Sequence, residues 1–412
     1  MPALRADLTA WRASWSKLRT PGTFGHDLPA ALTVAAVALP FNLALAVACE
    51  LPPAVGLVAG AVGGVVAAAF GGSPLQVTGP AAALATMVLG VNREFGAGGV
   101  AAATVLVGLT QLAVYGLRVG KYLARLPEAV LAGFTSGVGL TILDQQIPEL
   151  LGFDYRVIDF VRMVHMPAVH RAVSWRAALC GALVAGAVLA FQRKKRIPGA
   201  IFGIVAATLL AGHFDWPVER IGVIPNRFPA PTVPLVARER WFELAAAAVP
   251  LGLLAAMESL LSAKAVDRMA GTRHRSDLEV FGQGCANLAT GFVGGMPVSG
   301  VLVRSGINAQ SGATSRLSAL LHGVLLAAAM VAFGGPLSNV PYAALAGLLC
   351  IVGGRLVEVR EFLHLVFHRP LAALAFALTA AGTVGGHLLA GLCAGLVAAL
   401  IDAFRVERNR IA

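Results

Sequence analysis

Apolar residues follow one another along this chain in blocks of up to about twenty, divided by short polar or basic stretches. About fourteen blocks can be placed. Seven lie in the first half, near 28–49, 52–70, 79–92, 98–117, 128–151, 174–192 and 198–213. Seven lie in the second, near 243–263, 277–295, 303–312, 316–334, 341–354, 369–384 and 386–404. A block of this length in hydrocarbon must satisfy its own backbone, which a helix does. The ten-residue alternation of a membrane barrel is absent. The pattern therefore predicts an all-α polytopic membrane protein. The blocks at 79–92 and 303–312 are too short to cross, and are expected as half-helices.

Composition agrees: 57% of the 412 residues are hydrophobic and only 13% charged. The 32 Lys and Arg against 21 Asp and Glu give a formal charge of +11. In a soluble chain that excess would suggest nucleic acid. Here the basic residues sit between apolar blocks, where anionic lipid and the positive-inside rule account for them, so no nucleic-acid partner is expected. Arg5, Arg12, Lys17 and Arg19 precede the first block; Arg118, Lys121 and Arg125 follow the fourth; Arg193, Lys194, Lys195 and Arg196 follow the sixth. Lys264, Arg268, Arg273 and Arg275 follow the eighth, Arg355 and Arg360 the twelfth, and Arg405, Arg408 and Arg410 close the chain. If the direction reverses at each block, all of these share one side. That side is read as the cytoplasm of an inner membrane, with both termini in it. Residues 1–26 form a polar, basic tail with no cleavable signal.

Cys49, Cys180, Cys285, Cys350 and Cys393 lie in apolar stretches without CxxC spacing and read as small core residues. No metal-ligand cluster, nucleotide loop or nucleophile–base pair is present, so neither an enzyme nor a cofactor is expected. The 47 glycines suit close packing of membrane helices.

The halves repeat weakly. Pro40 in the first block precedes Glu50 by ten residues, and Pro250 in the eighth precedes Glu258 by eight. Two blocks later each half has a broken piece: Gly71-Gly72-Ser73-Pro74 running to Thr78-Gly79-Pro80, and Gly294-Gly295-Met296-Pro297 running to Arg304-Ser305-Gly306. An odd number of spans per repeat inverts one half relative to the other. Paired Gly/Pro-broken segments then mark a midplane binding site. Pro80 suits the first turn of one half-helix, leaving amides of Ala81, Ala82 and Ala83 free; the other begins near Val303 and Arg304. Two such N-termini attract an anion, and Arg304 adds a full charge. Arg304 could instead anchor at the interface. Glu258, an acid deep in an apolar block, could carry a proton or be a fixed partner of a cation. Glu50 stands at a helix end and reads as interfacial, while Asn42, Asn287 and Asn308 read chiefly as interhelical glue.

These residues resemble the SulP (sulfate permease) family of anion transporters. The resemblance is carried by Leu-Thr-Val-Ala-Ala-Val-Ala-Leu-Pro40, Leu51-Pro-Pro-Ala-Val-Gly-Leu57, Gly71-Gly-Ser-Pro with Thr78-Gly-Pro80, and Gln146-Ile-Pro-Glu-Leu-Leu-Gly152. It continues through Pro250 to Glu258-Ser259, Gln283-Gly-Cys-Ala-Asn287, and Arg304-Ser305-Gly-Ile-Asn308 with Ser311-Gly-Ala-Thr314. It implies a seven-plus-seven inverted repeat with half-helices at segments 3 and 10. It implies a core domain at about 27–118 and 243–334, a gate domain at about 125–213 and 341–404, elevator-like movement, and a homodimer. Where the family has Gln after the first-span Pro, this chain has Phe41 and then Asn42. Before Arg304 stand Val301, Leu302 and Val303 where Ser or Thr is frequent. The cytoplasmic STAS domain that most members carry after the last span is not expected in this sequence.

The expected binding set is thus Arg304, Ser305, Val303, Ala81, Ala82, Phe41 and Asn42, with Glu258 coupling a proton, or Na+, to the anion. The expected function is secondary active transport of bicarbonate, sulfate, chloride or a dicarboxylate. A nucleobase or uracil-type proton symporter of the same fold, and a passive anion channel, are the alternatives.

Overall fold

The computed structural model describes residues 9, 11, 12, 15, 22–118, 120, 127–153, 160–166, 173–192, 199–230, 236–385 and 387–411. Arg5, Lys17, Arg19, Lys121, Arg125, the cluster 193–196 and Gly386 lie outside them. The first repeat holds α1 (Thr23–Ala48), α2 (Pro53–Phe70), β1 (Thr78–Gly79), α3 (Ala82–Gly116), α4 (Glu128–Leu150), α5 (Phe160–Val164), α6 (Trp175–Phe191) and α7 (Gly199–His213). The second holds α8 (Trp241–Ala270), α9 (Ser276–Phe292), β2 (Ser299–Gly300), α10 (Leu302–Gln310) and α11 (Arg316–Ser338). It closes with α12 (Tyr342–Leu356), α13 (Val359–His368), α14 (Pro370–Val384) and α15 (Leu388–Ile411). Among the described residues, six helical stretches are long and apolar enough to cross a membrane. Phe202, Leu209, Val331 and Phe404 point outward, as a lipid-facing surface requires.

Packing divides the helices into two sets. In one, α3 packs on α8 and α9, α2 on α9 and α11, and α1 on α2, α10 and α11. In the other, α4 packs on α12 and α14, α6 on α7 and α12, and α14 on α15. Small residues set these distances. At Gly347 a side chain would strike the backbone of Gly181, so α12 and α6 touch main chain to main chain.

Charged pairs mark the two faces of the bundle. At one face Arg93 meets Glu50 at 2.6 Å, and Arg240 meets Glu94 at 3.2 Å. At the other, Arg118 after α3 meets Asp277 in α9 at 3.4 Å. Asp27, buried in α1, accepts from Thr314 N at 2.6 Å, Thr314 Oγ1 at 3.1 Å and Ser315 N at 3.3 Å, and also from Ser315 Oγ. A carboxylate of the first repeat thereby fastens the turn that leads into α11 of the second, whose N-cap is Ser315.

Several expectations need correcting. The first helix starts at Thr23, inside the expected tail. The segments expected at 79–92 and 98–117 follow without a loop, because Gly96 (φ 71°, ψ −179°) turns the chain within α3. Only glycine adopts that backbone without strain. Helix α13 was not expected at all. Cys393 is exposed, not a core residue.

Candidate functional site

Prolines and glycines end α2 and α9 early and release two extended segments inside the bundle. Peptide groups there need partners, since no water competes for them. The segments solve this first with each other. β1 and β2 pair antiparallel, Thr78 opposite Gly300 and Gly79 opposite Ser299, and Val301 N donates to Val77 O at 2.9 Å. Side chains supply the rest. Asn287 accepts from Val298 N and donates to Val298 O, both at 2.9 Å. Asn308 donates to Leu75 O at 2.9 Å, and Gln76 donates to Ser259 O at 3.0 Å. Ser259 Oγ accepts from Gly300 N at 2.8 Å, and Gln283 donates to Thr78 Oγ1 at 2.7 Å. Asn287 and Asn308 are thus glue, holding strand to helix.

The half-helices start where the crossing ends. Ala81 caps α3 and Val301 caps α10, both with extended backbone, and neither helix has a side-chain cap. Their first-turn amides, those of Ala82 and Ala83 on one side and Leu302 and Val303 on the other, are left unspent by side chains. Pro80 lies before the cap, not in the first turn as expected. The α10 entrance is open: Leu302 and Val303 are exposed.

Arg304 reaches across the crossing from α10. It is only 2% exposed, and its Nη2 donates to Pro80 O at 3.2 Å. Its Nη1 has no hydrogen-bond partner. Asn42 of α1 is fully buried, and neither atom of its amide has one. The two share a neighbour: a Cβ on Gly79 would run into Arg304 Nη1 and sit 3.7 Å from Asn42 Oδ1. The half-buried ring of Phe41 lies beside them, its centroid 6.0 Å from the Arg304 guanidinium carbon. Unpaired donors of this kind, buried among helix N-termini, are costly unless an anion or water meets them.

Ser305 is placed differently. Its hydroxyl accepts from Val77 N at 2.9 Å and donates to Val301 O at 2.7 Å, so it joins β1 to α10. Glu258 of α8 is half-buried, and its Oε2 accepts from Ser299 Oγ at 2.7 Å. Through this bond it ties α8 to β2. The structure therefore gathers Arg304, Asn42, Phe41, Ala81 and Ala82 at the crossing, with Val303 at its mouth, Ser305 beneath it and Glu258 at its side.

Sequence reasoning missed His322 of α11. It is fully buried beside Gly64 and near Thr78 O, with no partner for either ring nitrogen. A histidine inside an apolar block was the signal. Among the described residues no group of His, Cys, Asp or Glu could hold a metal ion.

Two repeats, each broken at its third segment and crossing inside the bundle around a buried arginine, define a membrane transporter of the inverted-repeat class. The chain belongs to the sulfate permease family, whose model matches residues 24–379. Members of that family are transporters, not enzymes. The putative sulfate transporter YvdB of Bacillus subtilis is 30% identical over 377 residues, covering 88% of this chain and 70% of its own length. The bicarbonate transporter BicA of a Picosynechococcus species is 29% identical over 349 residues, covering 81% of this chain and 62% of its own. The chain thus spans about two thirds of the length of these relatives. Of solved structures, the transmembrane domain of a cyanobacterium bicarbonate transporter BicA matches with a TM-score of 0.82 at 26% identity, over 90% of this chain and 98% of that one. SLC26A9 matches with a TM-score of 0.88 at 16% identity, over 97% of this chain and 69% of that one, a likeness of fold alone. The seven-plus-seven arrangement is the one these neighbours share.

Proposed function

We propose that this protein is a secondary active transporter that carries a small anion across the inner membrane, with bicarbonate, sulfate, chloride and dicarboxylates as the candidates. The observation that carries this reading is the pair of unpartnered donors, Arg304 Nη1 and the Asn42 amide, buried next to two helix N-termini without side-chain caps. Ala81 and Ala82 contribute backbone, Phe41 a wall and Val303 the entrance, while Ser305 holds the crossing in shape. The relatives named for sulfate and bicarbonate support an oxyanion.

Movement is elevator-like in this reading. The set α1–α3 with α8–α11 slides as a core past the gate set of α4–α7 with α12–α15, which the closer packing within each set than between them supports. Glu258 couples a proton. An anion at Arg304 is repelled by a carboxylate beside it and not by a carboxylic acid, so each loading favours the other. The working form is a homodimer with both termini in the cytoplasm.

The test is uptake into liposomes holding the purified protein, with and without a pH gradient. Saturable uptake of one of these anions, raised by an inward proton gradient, is the expected result. Non-saturating, gradient-independent anion currents would make it a passive channel. Uptake of uracil in preference to anions would make it a nucleobase carrier.

A further inference from the structure

Helix α13 leaves an apolar face uncovered at one end of the bundle. Its apolar residues stand at 359, 362, 363, 365, 366 and 367, the broad stripe of an amphipathic helix. Phe362 packs on Phe376 of α14 with ring centroids 5.1 Å apart, and Leu365 is the one buried residue. The rest of the stripe is open: Val359 is 54% exposed, Leu363 49%, Val366 41% and Phe367 79%.

The connections fix the level of this helix. Two residues, 357 and 358, join it to the end of α12, and Arg369 alone joins it to α14. Both neighbours are apolar helices of 15 residues, and α13 between them carries Arg360, Glu361, His364 and His368, which places it where the hydrocarbon gives way to water. Arginines ring it. Arg355 ends α12, Arg360 lies in the first turn of α13, and Arg369 follows its last. An ion pair between Arg369 and Asp402 brings the end of α15, with exposed Arg405, to the same face. Arg355 and Arg360 are exposed and form no ion pair among the described residues. Glu358 and Glu361 are the segment's acids.

We propose that α13 is a lipid-binding element, lying in the headgroup layer and gripping anionic phospholipid. Val359, Leu363, Val366 and Phe367 enter the acyl boundary, and Arg355 and Arg360 meet the phosphates. The face continues the lipid-covered surface of α12 and α14, and its free cations suit phosphate. Four exposed side chains fall well short of the roughly 800 Å² per partner of a stable protein interface, which argues against a second copy. The inference needs only that the chain spans a membrane, and stands apart from the anion site.

The test uses the full chain with its five native cysteines replaced and a nitroxide at Leu363→Cys or Phe367→Cys. It is reconstituted in vesicles of phosphatidylcholine with or without phosphatidylglycerol. The label is expected to meet oxygen more readily than a water-soluble nickel chelate. Protein extracted from the mixed vesicles should retain phosphatidylglycerol over phosphatidylcholine. The Arg355→Gln/Arg360→Gln double variant should lower that enrichment about fivefold or more. A label fully open to the chelate would overturn the proposal. So would broadening by a label on a second copy in both lipids, or enrichment unchanged in the double variant. Arg355, Arg360, Leu363 and Phe367 are exposed, and the cysteine-free chain without further change serves as the folded reference for each variant.

Discussion

The hydroxyl of Ser299 donates to Oε2 of Glu258 at 2.7 Å, so the acid of α8 is held by the strand that crosses β1. The next residues repeat the grip: Gly300 N donates to Ser259 Oγ at 2.8 Å. Consecutive residues of α8 thus hold consecutive residues of β2. Beyond that strand, the uncapped start of α10 presents Arg304. A change of charge on Glu258 would be felt directly by the strand that shapes the proposed anion site. This is the physical basis for expecting proton and anion to move together.

Glu258→Gln keeps a side chain that Ser299 can still bond, and it mimics the protonated acid. The variant is expected to bind and exchange anion normally and to lose accumulation driven by a pH gradient. Tracer uptake into proteoliposomes reads both. Accumulation at the wild-type level would place the coupling elsewhere.

Gly79→Ala puts a methyl group against the Arg304 guanidinium. Backbone conformation is not the obstacle, since Gly79 is not among the positive-φ residues. The variant should fold, elute as the wild type does, and lose anion affinity by tenfold or more, about 1.4 kcal/mol. Equal affinity in a binding titration would mean that the anion sits away from this crossing.

Asp27→Ala removes the anchor of the turn before α11 and leaves the Thr314 and Ser315 donors unpaired. A buried side chain that accepts from several donors is worth about 2 kcal/mol or more. A lower thermal midpoint in detergent is expected, with the anion affinity of the folded fraction unchanged. An unshifted melt would show that water replaces the carboxylate at no cost.

Both termini in the cytoplasm is the orientation the positive-inside rule proposes if the basic clusters share one side. Single cysteines introduced as Ala3→Cys and Arg410→Cys, in a chain without the native five, should resist impermeant thiol reagents in intact cells. Labelling of either from outside would reverse the orientation.

Much of this molecule was legible in its sequence because hydrocarbon is a severe solvent. Apolar runs gave the spans, and the matched breaks at Gly71-Gly72 and Gly294-Gly295 gave the half-helices. Arg304 and Glu258 stood out because charge is rare in such runs. The β pair was hidden, since two residues per strand carry no periodicity. The partners of Glu258 and Ser305 were hidden too. Ser299 is 41 residues from Glu258, and Val77 is 228 from Ser305, so only the fold brings them together. Helix α13 was hidden because its ten residues, apolar on one side only, are too few to stand out as a span.

The most direct test of the anion site is a binding titration of purified wild-type protein and Arg304→Ala with sulfate, bicarbonate, chloride and a dicarboxylate. The wild type should bind at least one of them saturably. Arg304→Ala should lose that binding while keeping its melting profile and oligomeric state. Arg304→Lys should recover only part, since a lysine keeps the charge but not the planar fork that reaches both Pro80 O and the anion. Saturable binding of the same anion to Arg304→Ala with unchanged affinity would contradict the assignment.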